Sequence, residues 1–351
     1  SYNQFNNQYI IFLRQLMFAA IGLIMMFLIS RLPKVFYFRW SKAGLYLSLI
    51  LLVIVLIPGI GISVAGQRNW ISIWGPFRLQ PSEFAKLTLI VWGSVILSQQ
   101  VRSKVTTWQT LLIPVFPVGA AIAVLVMSEG DLGTALILGP ILLSLFYAIG
   151  APAKLFTWAT FAGVLAIIFL SLQKSYRLQR FMSWLNPNID NQDANWQVTH
   201  GKYALASGGW TGIGLGASKE KWGWLPAAHT DFIFAVIGEE LGLIGTLVVL
   251  TLIGIVAYVS LTLARKTNDL FTKLVATGVA SWIVVQSIIN LGAVLGLLPV
   301  TGVPLPLVSY GGSSLVFTLS AIGVLLSCLR AEPSVKSELK KNSKNRMLKK
   351  L

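Results

Sequence analysis

The sequence predicts an all-α membrane protein that crosses the bilayer many times. Of its 351 residues, 55% are hydrophobic and only 11% are charged, and the apolar residues are grouped in runs of about twenty. A helical run of that length is about 30 Å long, which matches the hydrocarbon thickness of a bilayer. The runs are too long for barrel strands, and a backbone in hydrocarbon must satisfy its own hydrogen bonds, so helices are expected.

Nine such apolar segments can be marked along the chain. They lie near residues 11–30, 43–63, 82–99, 109–128, 132–150, 153–172, 231–263, 271–297 and 312–330. The segment that starts at Asp231 is longer than a bilayer requires, so we expect its helix to extend beyond the membrane. Residues 1–330 are predicted to form one membrane domain with a large extracellular loop at about 173–230, and 331–351 a basic cytoplasmic tail.

The positions of Lys and Arg predict the orientation, because cytoplasmic connections carry an excess of both. Basic residues concentrate in alternate connections and in the tail: Arg31, Lys34, Arg39, Lys42, Arg102, Lys104, Lys154, Arg265, Lys266, Lys273, Lys336, Lys340, Lys341, Lys344, Arg346, Lys349 and Lys350. We therefore expect the tail inside and the 173–230 loop outside. This orientation places Ser1 outside and predicts a further helix before it. The asymmetry explains most of the net charge of +16, so nucleic acid is not an expected partner.

The scarcity of cysteine and histidine excludes several kinds of site. Cys328 is the only cysteine, and His200 and His229 are the only histidines. A disulfide framework and a cysteine-based zinc site are therefore excluded. The sequence also contains no HExxH motif, no Ser-His-Asp arrangement and no nucleotide-binding fingerprint.

Ionisable residues at the edge of an apolar segment predict the functional site, because such groups are costly in hydrocarbon unless they are used or paired. His229, Thr230 and Asp231 stand where the long polar loop meets an apolar helix. Asp231 has two compatible interpretations. It caps the helix or lies in its first turn, or it is a general base that takes a proton from a hydroxyl, for which partial burial would raise its ordinary pKa of about 3.9.

Four more ionisable residues fall within predicted helices. Glu239 lies eight residues after Asp231, a rise of about 12 Å, so the two carboxylates cannot share one substrate group directly. We expect Glu239 and Glu240 to meet Lys86 inside the membrane. Lys86 also lies three residues after Glu83, on the same helical face. This pair is either a buried ion pair that fixes helix packing or part of a polar cavity that leads to the site.

Three short stretches suggest loops or helix starts. Arg68, in a predicted extracellular turn, either contacts phosphate or lies in water, and Gly130-Asp131-Leu132-Gly133-Thr134 is interpreted as a helix cap. The stretch 302–314 contains Pro304, Pro306 and Gly311-Gly312, which break a helix and leave N–H groups at the next helix start that could hold an anion.

The 173–230 loop is rich in tryptophan and glycine. Its five tryptophans are Trp184, Trp196, Trp210, Trp222 and Trp224. They fit an interfacial belt or a surface on which a sugar or lipid headgroup stacks.

Five separated stretches together resemble the SEDS family of membrane glycosyltransferases (shape, elongation, division and sporulation). They are Trp70 with Gln80-Pro81-Ser82-Glu83-Phe84-Ala85-Lys86; Asp131-Leu132-Gly133-Thr134; Gln197 with Ser207-Gly208-Gly209 and Gly212-Ile213-Gly214; His229 through Gly242; and Pro306-Leu307-Val308-Ser309-Tyr310-Gly311-Gly312-Ser313. They follow the family order over nearly the whole chain. The resemblance implies ten helices, one more than this sequence contains.

The resemblance implies an enzyme that polymerises lipid II into peptidoglycan outside the cytoplasmic membrane. The 4-hydroxyl of one disaccharide attacks the anomeric carbon of another, inverts it and expels undecaprenyl pyrophosphate. The family's essential aspartate falls on Asp231, as general base, while Arg177 and Arg180 would neutralise the leaving pyrophosphate. A divalent cation, Mg²⁺ or Mn²⁺, is expected to assist. The predicted substrate contacts are Arg68, Glu83, Lys86, Arg177, Arg180, Gln197, His229, Ser309, Gly311 and Gly312.

Two positions depart from the family pattern. Ala227 stands where the family often has glutamate, so that carboxylate cannot be required here, and His200 stands where a glutamine is common. The segments 236–240 and 214–218 favour the FtsW division type, whereas 303–306 is found widely in the RodA elongation type. We therefore expect a role in septal synthesis, with elongation as the alternative.

The resemblance also implies partners and leaves two other functions open. A class B penicillin-binding protein, which supplies the transpeptidase that this chain lacks, and other divisome membrane proteins are the expected partners. A lipid II flippase is the main rival, because Glu83, Lys86, Glu239 and Glu240 would suit a polar path through the membrane. A scaffold that recruits a transpeptidase is the third possibility.

Overall fold

A computed structural model describes residues 9–333 except 65, 75–76, 104–107, 174 and 187–193. The described chain contains eleven α-helices: α1 Ile10–Ser30, α2 Lys34–Leu56, α3 Pro81–Arg102, α4 Trp108–Ser128, α5 Leu132–Ala148, α6 Ala153–Leu172, α7 Ser175–Leu185, α8 Ala194–Gly208, α9 Ile233–Lys266, α10 Leu270–Val294 and α11 Gly312–Arg330. Lys104 and the tail from 334 onward, including its predicted basic cluster, lie outside the described residues.

The helices confirm the predicted polytopic membrane fold. Eight of those in the described ranges are long and apolar enough to cross a bilayer, and α5, with 17 residues, is a shorter apolar helix. These nine helices match the nine predicted segments. The helix α9 spans 34 residues, as its long apolar run predicts. The helix α2 ends at Leu56, earlier than predicted, because the chain turns and enters a strand at Gly61.

A three-stranded antiparallel sheet was missing from the sequence prediction, which placed only a turn there. Its strands are β1 Gly61–Val64, β2 Gln67–Trp74 and β3 Phe77–Leu79, in the order β1-β2-β3. The second half of β2, from Trp70 to Trp74, consists of tryptophan and isoleucine with a single serine, and aromatic and β-branched residues of this kind favour strands. In this sheet, backbone N–H and C=O groups of the connection between α2 and α3 form hydrogen bonds with one another.

One end of the helix bundle carries all the long connections. The connections 57–80, 129–131, 173–232 and 295–311 meet there, and the described part of this end is called the loop face. The Lys and Arg pattern predicts that the loop face is extracellular. At the opposite end, Lys34 and Arg102 both contact Asp269, at 2.8 and 3.4 Å.

The glycine-rich part of the large loop supplies backbone hydrogen-bond partners where the helix α9 is broken. Gly242 has φ of 66°, which interrupts the helix. The carbonyls of Glu239 and Glu240 accept hydrogen bonds from Ile213 and Gly214 at 3.0 and 3.1 Å. On the far side of the break, the N–H groups of Leu243 and Ile244 donate to the carbonyls of Gly209 and Trp210. A non-helical backbone inside a membrane protein is tolerated when protein satisfies it in this way.

Close backbone contact explains why the loop needs glycine at two of these positions. A Cβ at Gly208 would lie 1.9 Å from the Gly238 carbonyl oxygen, and one at Gly212 would lie 2.1 Å from that of Glu240. No side chain fits at such distances. The loop therefore packs its main chain directly on the first part of α9.

Candidate functional site

Asp231 lies on the loop face, two residues before α9 begins. Its main-chain oxygen accepts a hydrogen bond of 2.8 Å from Asn290 Nδ2, and the same amide donates to the Val303 carbonyl at 2.8 Å. Asp231 is therefore tied to α10 and to the 302–311 segment through its main chain. Phe232 occupies the N-cap position of α9, and no side chain caps it. The capping interpretation of Asp231 is wrong.

The Asp231 carboxylate is half-buried and accepts no hydrogen bond from the described residues. Gly302 lies beside it, so close that a Cβ there would be 3.7 Å from Oδ2. Burial raises the pKa of Asp231 to about 6; the Arg180 charge lowers it in part, while Asp131 adds to the rise. A carboxylate with a pKa in this range is a much better general base near neutral pH than an exposed aspartate.

The 302–311 segment holds the His-Thr-Asp stretch in place. Ser309 Oγ donates to the Thr230 carbonyl at 2.6 Å and accepts from Leu305 N–H at 2.7 Å. Tyr310 N–H donates to the His229 carbonyl at 2.9 Å, and the two rings meet edge to face at 5.7 Å. Burial lowers the pKa of His229, which favours a neutral imidazole. Ser309 thus has main-chain partners, and its predicted substrate contact stays a prediction.

The glycines predicted to hold an anion lie at the start of α11. Gly311 is its N-cap residue, and Gly312 is buried against α1. A Cβ at Gly312 would lie 2.5 Å from the Phe18 ring. This contact explains Gly312 by helix packing, and anion binding at Gly311 and Gly312 stays a prediction.

Two arginines of α7 face the site. Arg177 is buried and donates to the Gly130 carbonyl at 3.1 Å. Arg180 is half-buried and donates to the Val300 carbonyl at 3.3 Å. Arg180 also lies within electrostatic reach of Asp231, since its charge lowers the pKa of that carboxyl group in part. The predicted binding of the substrate pyrophosphate by Arg177 and Arg180 stays a prediction.

Two cavities open beside these arginines. An apolar groove of about 590 Å³ is lined by both arginines and by side chains that include Leu136, Val164, Ile168, Phe181, Ile289 and Leu298. A polar pocket of about 570 Å³ lies next to it. Arg177 and Gly130 line both cavities. A ligand with an apolar chain in the groove could therefore place a charged group beside Arg177.

Asp131 caps α5, as predicted. Its carboxylate accepts hydrogen bonds from Thr134 N–H and Oγ1 at 2.9 and 2.7 Å. Gln80 Nε2 adds a third at 2.9 Å. The Asp131 carboxylate is thus occupied by three donors, whereas that of Asp231 accepts no hydrogen bond from the described residues.

Glu83 and Lys86 form a buried ion pair of 2.7 Å. Lys86 Nζ also donates to Gln286 Oε1 at 3.0 Å, and Gln286 Nε2 donates to the Pro304 carbonyl at 2.8 Å. Neither charged residue lines the groove or the polar pocket. The geometry favours the packing interpretation, because the pair joins α3 and α10 to the segment that holds Asp231.

The predicted contact of Glu239 and Glu240 with Lys86 is wrong. Glu239 accepts hydrogen bonds from Ser218 Oγ at 2.5 Å and from Lys219 N–H at 2.9 Å. Glu240 pairs with Lys221. The break at Gly242 lets the large loop dock on this part of α9, so both glutamates meet loop residues instead.

The remaining predicted contacts lie in different places. Arg68 is half-buried in β2, donates to the Leu56 carbonyl at 3.2 Å and lines the polar pocket. Gln197 lies on α8, half-buried, and lines neither cavity. His200 contacts Glu220 at 2.6 Å beside the rings of Trp196 and Trp224. Roles for Arg68 and Gln197 in substrate binding stay predictions.

Glu129 is a candidate that the sequence interpretation missed. It is only 2% exposed, and neither carboxyl oxygen has a hydrogen-bond partner. Burial raises its pKa to about 9, with a further rise from the Asp131 charge. The only sequence signal was an acid directly before the Gly130-Asp131 cap, at the end of an apolar run.

The described residues do not assemble a resident metal site. Within the described ranges no three His, Cys, Asp or Glu side chains group together. Asp131, which lies close to Asp231, already accepts three hydrogen bonds. The assistance of a divalent cation therefore stays a prediction.

The fold and site define a class: a multi-pass membrane protein with a half-buried carboxylate, two arginines and an apolar groove on one face. The chain belongs to the FtsW/RodA/SpoVE family, whose description is "cell cycle protein", and the match covers residues 1–333. The predicted SEDS resemblance is thereby confirmed.

Relatives with assigned names support the same family. The "Probable peptidoglycan glycosyltransferase FtsW" proteins of Mycobacterium bovis and Mycobacterium tuberculosis are both 39% identical over 340 residues, which are 97% of this chain. The chain spans 64% of the length of these two relatives. Stage V sporulation protein E of Bacillus subtilis is 38% identical over 93% of this chain and 89% of its own length.

Solved structures share the fold. A chain of a peptidoglycan synthase complex, described as coordinating polymerization and crosslinking, matches with a TM-score of 0.75 and 28% identity, over 92% of this chain and 90% of that one. The rod shape determining protein RodA of Thermus thermophilus matches with a TM-score of 0.66 and 28% identity, over 90% and 87% of the two chains.

Proposed function

We propose that this protein is a peptidoglycan glycosyltransferase that polymerises lipid II at the outer face of the cytoplasmic membrane. The observation that carries the proposal is the Asp231 carboxylate. It is half-buried on the loop face, has no hydrogen-bond donor among the described residues, and has a pKa raised to about 6 by burial. The names of the mycobacterial relatives support the same activity.

The proposed reaction gives each charged group of the loop face a task. Asp231 takes the proton of the attacking 4-hydroxyl as this oxygen bonds to the anomeric carbon of a second lipid-linked disaccharide. The bond from that carbon to the pyrophosphate oxygen breaks with inversion. Arg177 and Arg180 stabilise the charge on the departing pyrophosphate. The apolar groove beside both arginines accommodates part of the lipid chain.

The membrane-buried charges favour an enzyme over a flippase. A translocation path needs polar groups that are open to the substrate. Glu83 and Lys86 are buried against each other, and Glu239 and Glu240 are occupied by the large loop. The four residues on which the flippase hypothesis rested therefore do not join into one path.

The septal role and the partner are part of the same proposal. Relatives named FtsW support the division type over the elongation type. The synthase complex that shares this fold couples polymerization to crosslinking, which supports pairing with a class B penicillin-binding protein. We place the protein at the division septum with its C-terminus in the cytoplasm. A divalent cation, if bound, would help to shield the charge of the pyrophosphate.

The direct test uses purified protein and labelled lipid II, with and without the proposed transpeptidase partner. Glycan strands are expected from the wild-type protein, with higher yield when the partner is present. Transfer of lipid II across vesicle membranes without any glycan product would instead establish a flippase.

A further inference from the structure

Glu239 is a buried carboxylate of α9 that the proposed reaction does not use. It is only 1% exposed, and its two oxygens have separate partners in the large loop. Oε2 accepts a hydrogen bond from Ser218 Oγ at 2.5 Å, and Oε1 accepts one from Lys219 N–H at 2.9 Å. Hydrogen bonds to a carboxylate are among the strong ones. These two bonds, called the Glu239 anchor, therefore fix the loop on α9.

The anchored residues begin the chain segment that leads to Asp231. Lys221 N–H donates to Ser218 Oγ at 3.2 Å, which closes the first turn of this segment. Leu225 N–H donates to the Glu220 carbonyl at 2.9 Å and closes the next one. After Asp231 the chain enters α9 and returns to the anchor. The anchor therefore closes a ring of chain that contains Asp231.

A strained turn lies between the anchor and Asp231. Ala227 has φ of 56°, in the left-handed region that is unfavourable for a residue with a Cβ. Its carbonyl accepts hydrogen bonds from the N–H groups of Thr230 and Phe232 at 3.0 and 3.3 Å, so this turn sets the course of the chain at Asp231. Strain of this kind persists only where the surrounding structure maintains it.

The strained segment is fixed from two sides. On one side, Asn290 and Ser309 donate to the carbonyls of Asp231 and Thr230. On the other side, the Glu239 anchor fixes the loop. Loss of the anchor lets the turn relax and lets water reach the Asp231 carboxylate. Such a change is costly, because a displacement of about 1 Å at a reacting group can lower the rate about 10²-fold.

We infer that Glu239 is a positioning residue for the glycosyl transfer, because it anchors Ser218 and Lys219 and so maintains the turn that places the Asp231 carboxylate. The inference deepens the proposed function and rests on it for the identity of the reaction. The anchor requires a carboxylate, since each oxygen accepts one of the two hydrogen bonds. Glutamine has one acceptor oxygen and would turn its NH₂ group toward a donor.

Substitutions at the anchor test this role with the purified full chain and lipid II. We expect kcat to fall about tenfold in Ser218→Ala and about a hundredfold in Glu239→Gln, with KM within about twofold of wild type. Thr267→Val is the matched control and should keep the wild-type kcat. Thr267 Oγ1 makes the same kind of bond, to Glu332 Oε1 at 2.5 Å, but at the opposite end of α9.

The pH profile of kcat/KM separates positioning from a loss of folded protein. Relaxing the turn exposes the Asp231 carboxyl group, so its pKa of about 6 should fall toward the ordinary value of about 3.9. Arg180 and Asp131, whose charges act on it, are unchanged in the variants. The acid limb should therefore move to lower pH in Ser218→Ala. A lower kcat with an unmoved acid limb would overturn the proposal, and so would wild-type kcat in this variant, which carries the test if Glu239→Gln fails to fold.

Cysteine labelling tests the anchor independently of the reaction. Ala228 is buried in the anchored segment, so Ala228→Cys in a Cys328→Ser background should react slowly with a water-soluble maleimide. Adding Ser218→Ala should make labelling about tenfold faster, whereas adding Thr267→Val should not.

The two readouts fail separately. If Ser218→Ala speeds labelling but the wild-type protein makes no glycan from lipid II, the proposed function fails and the anchor stands. If the wild-type protein makes glycan while Ser218→Ala leaves kcat, the acid limb and labelling unchanged, the anchor fails and the proposed function stands.

Discussion

The ionisation of one carboxyl group controls the proposed reaction at the residue scale. Burial raises the pKa of Asp231 to about 6, and a general base works only when deprotonated. We therefore expect kcat/KM for lipid II polymerisation to fall about tenfold per unit as pH drops below about 6, and to level off above it. Initial rates between about pH 5 and about pH 8 measure this. A profile that is flat through this range would contradict the assignment.

The buried pair of Glu83 and Lys86 gives a second residue-scale prediction, on stability. Lys86→Met leaves the Glu83 carboxylate buried without its partner, which typically costs about 3–5 kcal/mol. The double variant Glu83→Gln with Lys86→Met removes both charges and should recover most of the loss. Thermal unfolding in detergent measures both. Equal stability of the single variant and the wild type would show that the pair does not hold α3 to α10.

At the scale of single elements, the break in α9 lets the large loop dock. Gly242 has φ of 66°, and a Cβ there would lie 2.4 Å from the Gly212 nitrogen. Gly242→Ala should therefore destabilise the protein by about 1–3 kcal/mol or prevent its folding. Gly254→Ala in the same helix is the control, since nothing lies within 4 Å of its Cβ position. Similar yield and unfolding temperature in both variants would contradict the role of the break.

The helices could be predicted from sequence, whereas the way the loops pack could not. Runs of apolar residues determine each membrane helix locally, so nine segments were found. Most ends were close, but α2 begins at Lys34 and ends at Leu56 instead of spanning 43–63. The partners of Glu239 and Glu240 depend on how the 207–221 stretch folds back over Gly242, which no local pattern reveals. Glu129 was missed for the same reason, because its pocket forms only when β2 and α7 meet α4. Asp231 was found because it stands out chemically in an apolar chain.

At the scale of the whole molecule, the protein is expected to act with a transpeptidase. A class B penicillin-binding protein should copurify with this protein from membranes in mild detergent. The described helices leave many large apolar side chains exposed, including Trp158 and Phe161 of α6.

Depletion of this protein should give filaments that elongate without dividing. Rounded cells with normal septa would instead favour the elongation type.

The measurement that tests the central claim most directly is polymerisation of lipid II by Asp231→Asn. Asparagine keeps the size of the side chain, and the hydrogen bond from Asn290 goes to the main chain of residue 231, so the fold should be preserved. Loss of a general base typically lowers the rate about 10²–10⁴-fold. We predict a variant that reaches the membrane, binds its partner, unfolds at the wild-type temperature and makes almost no glycan. Polymerisation by Asp231→Asn at near the wild-type rate would contradict the proposed mechanism.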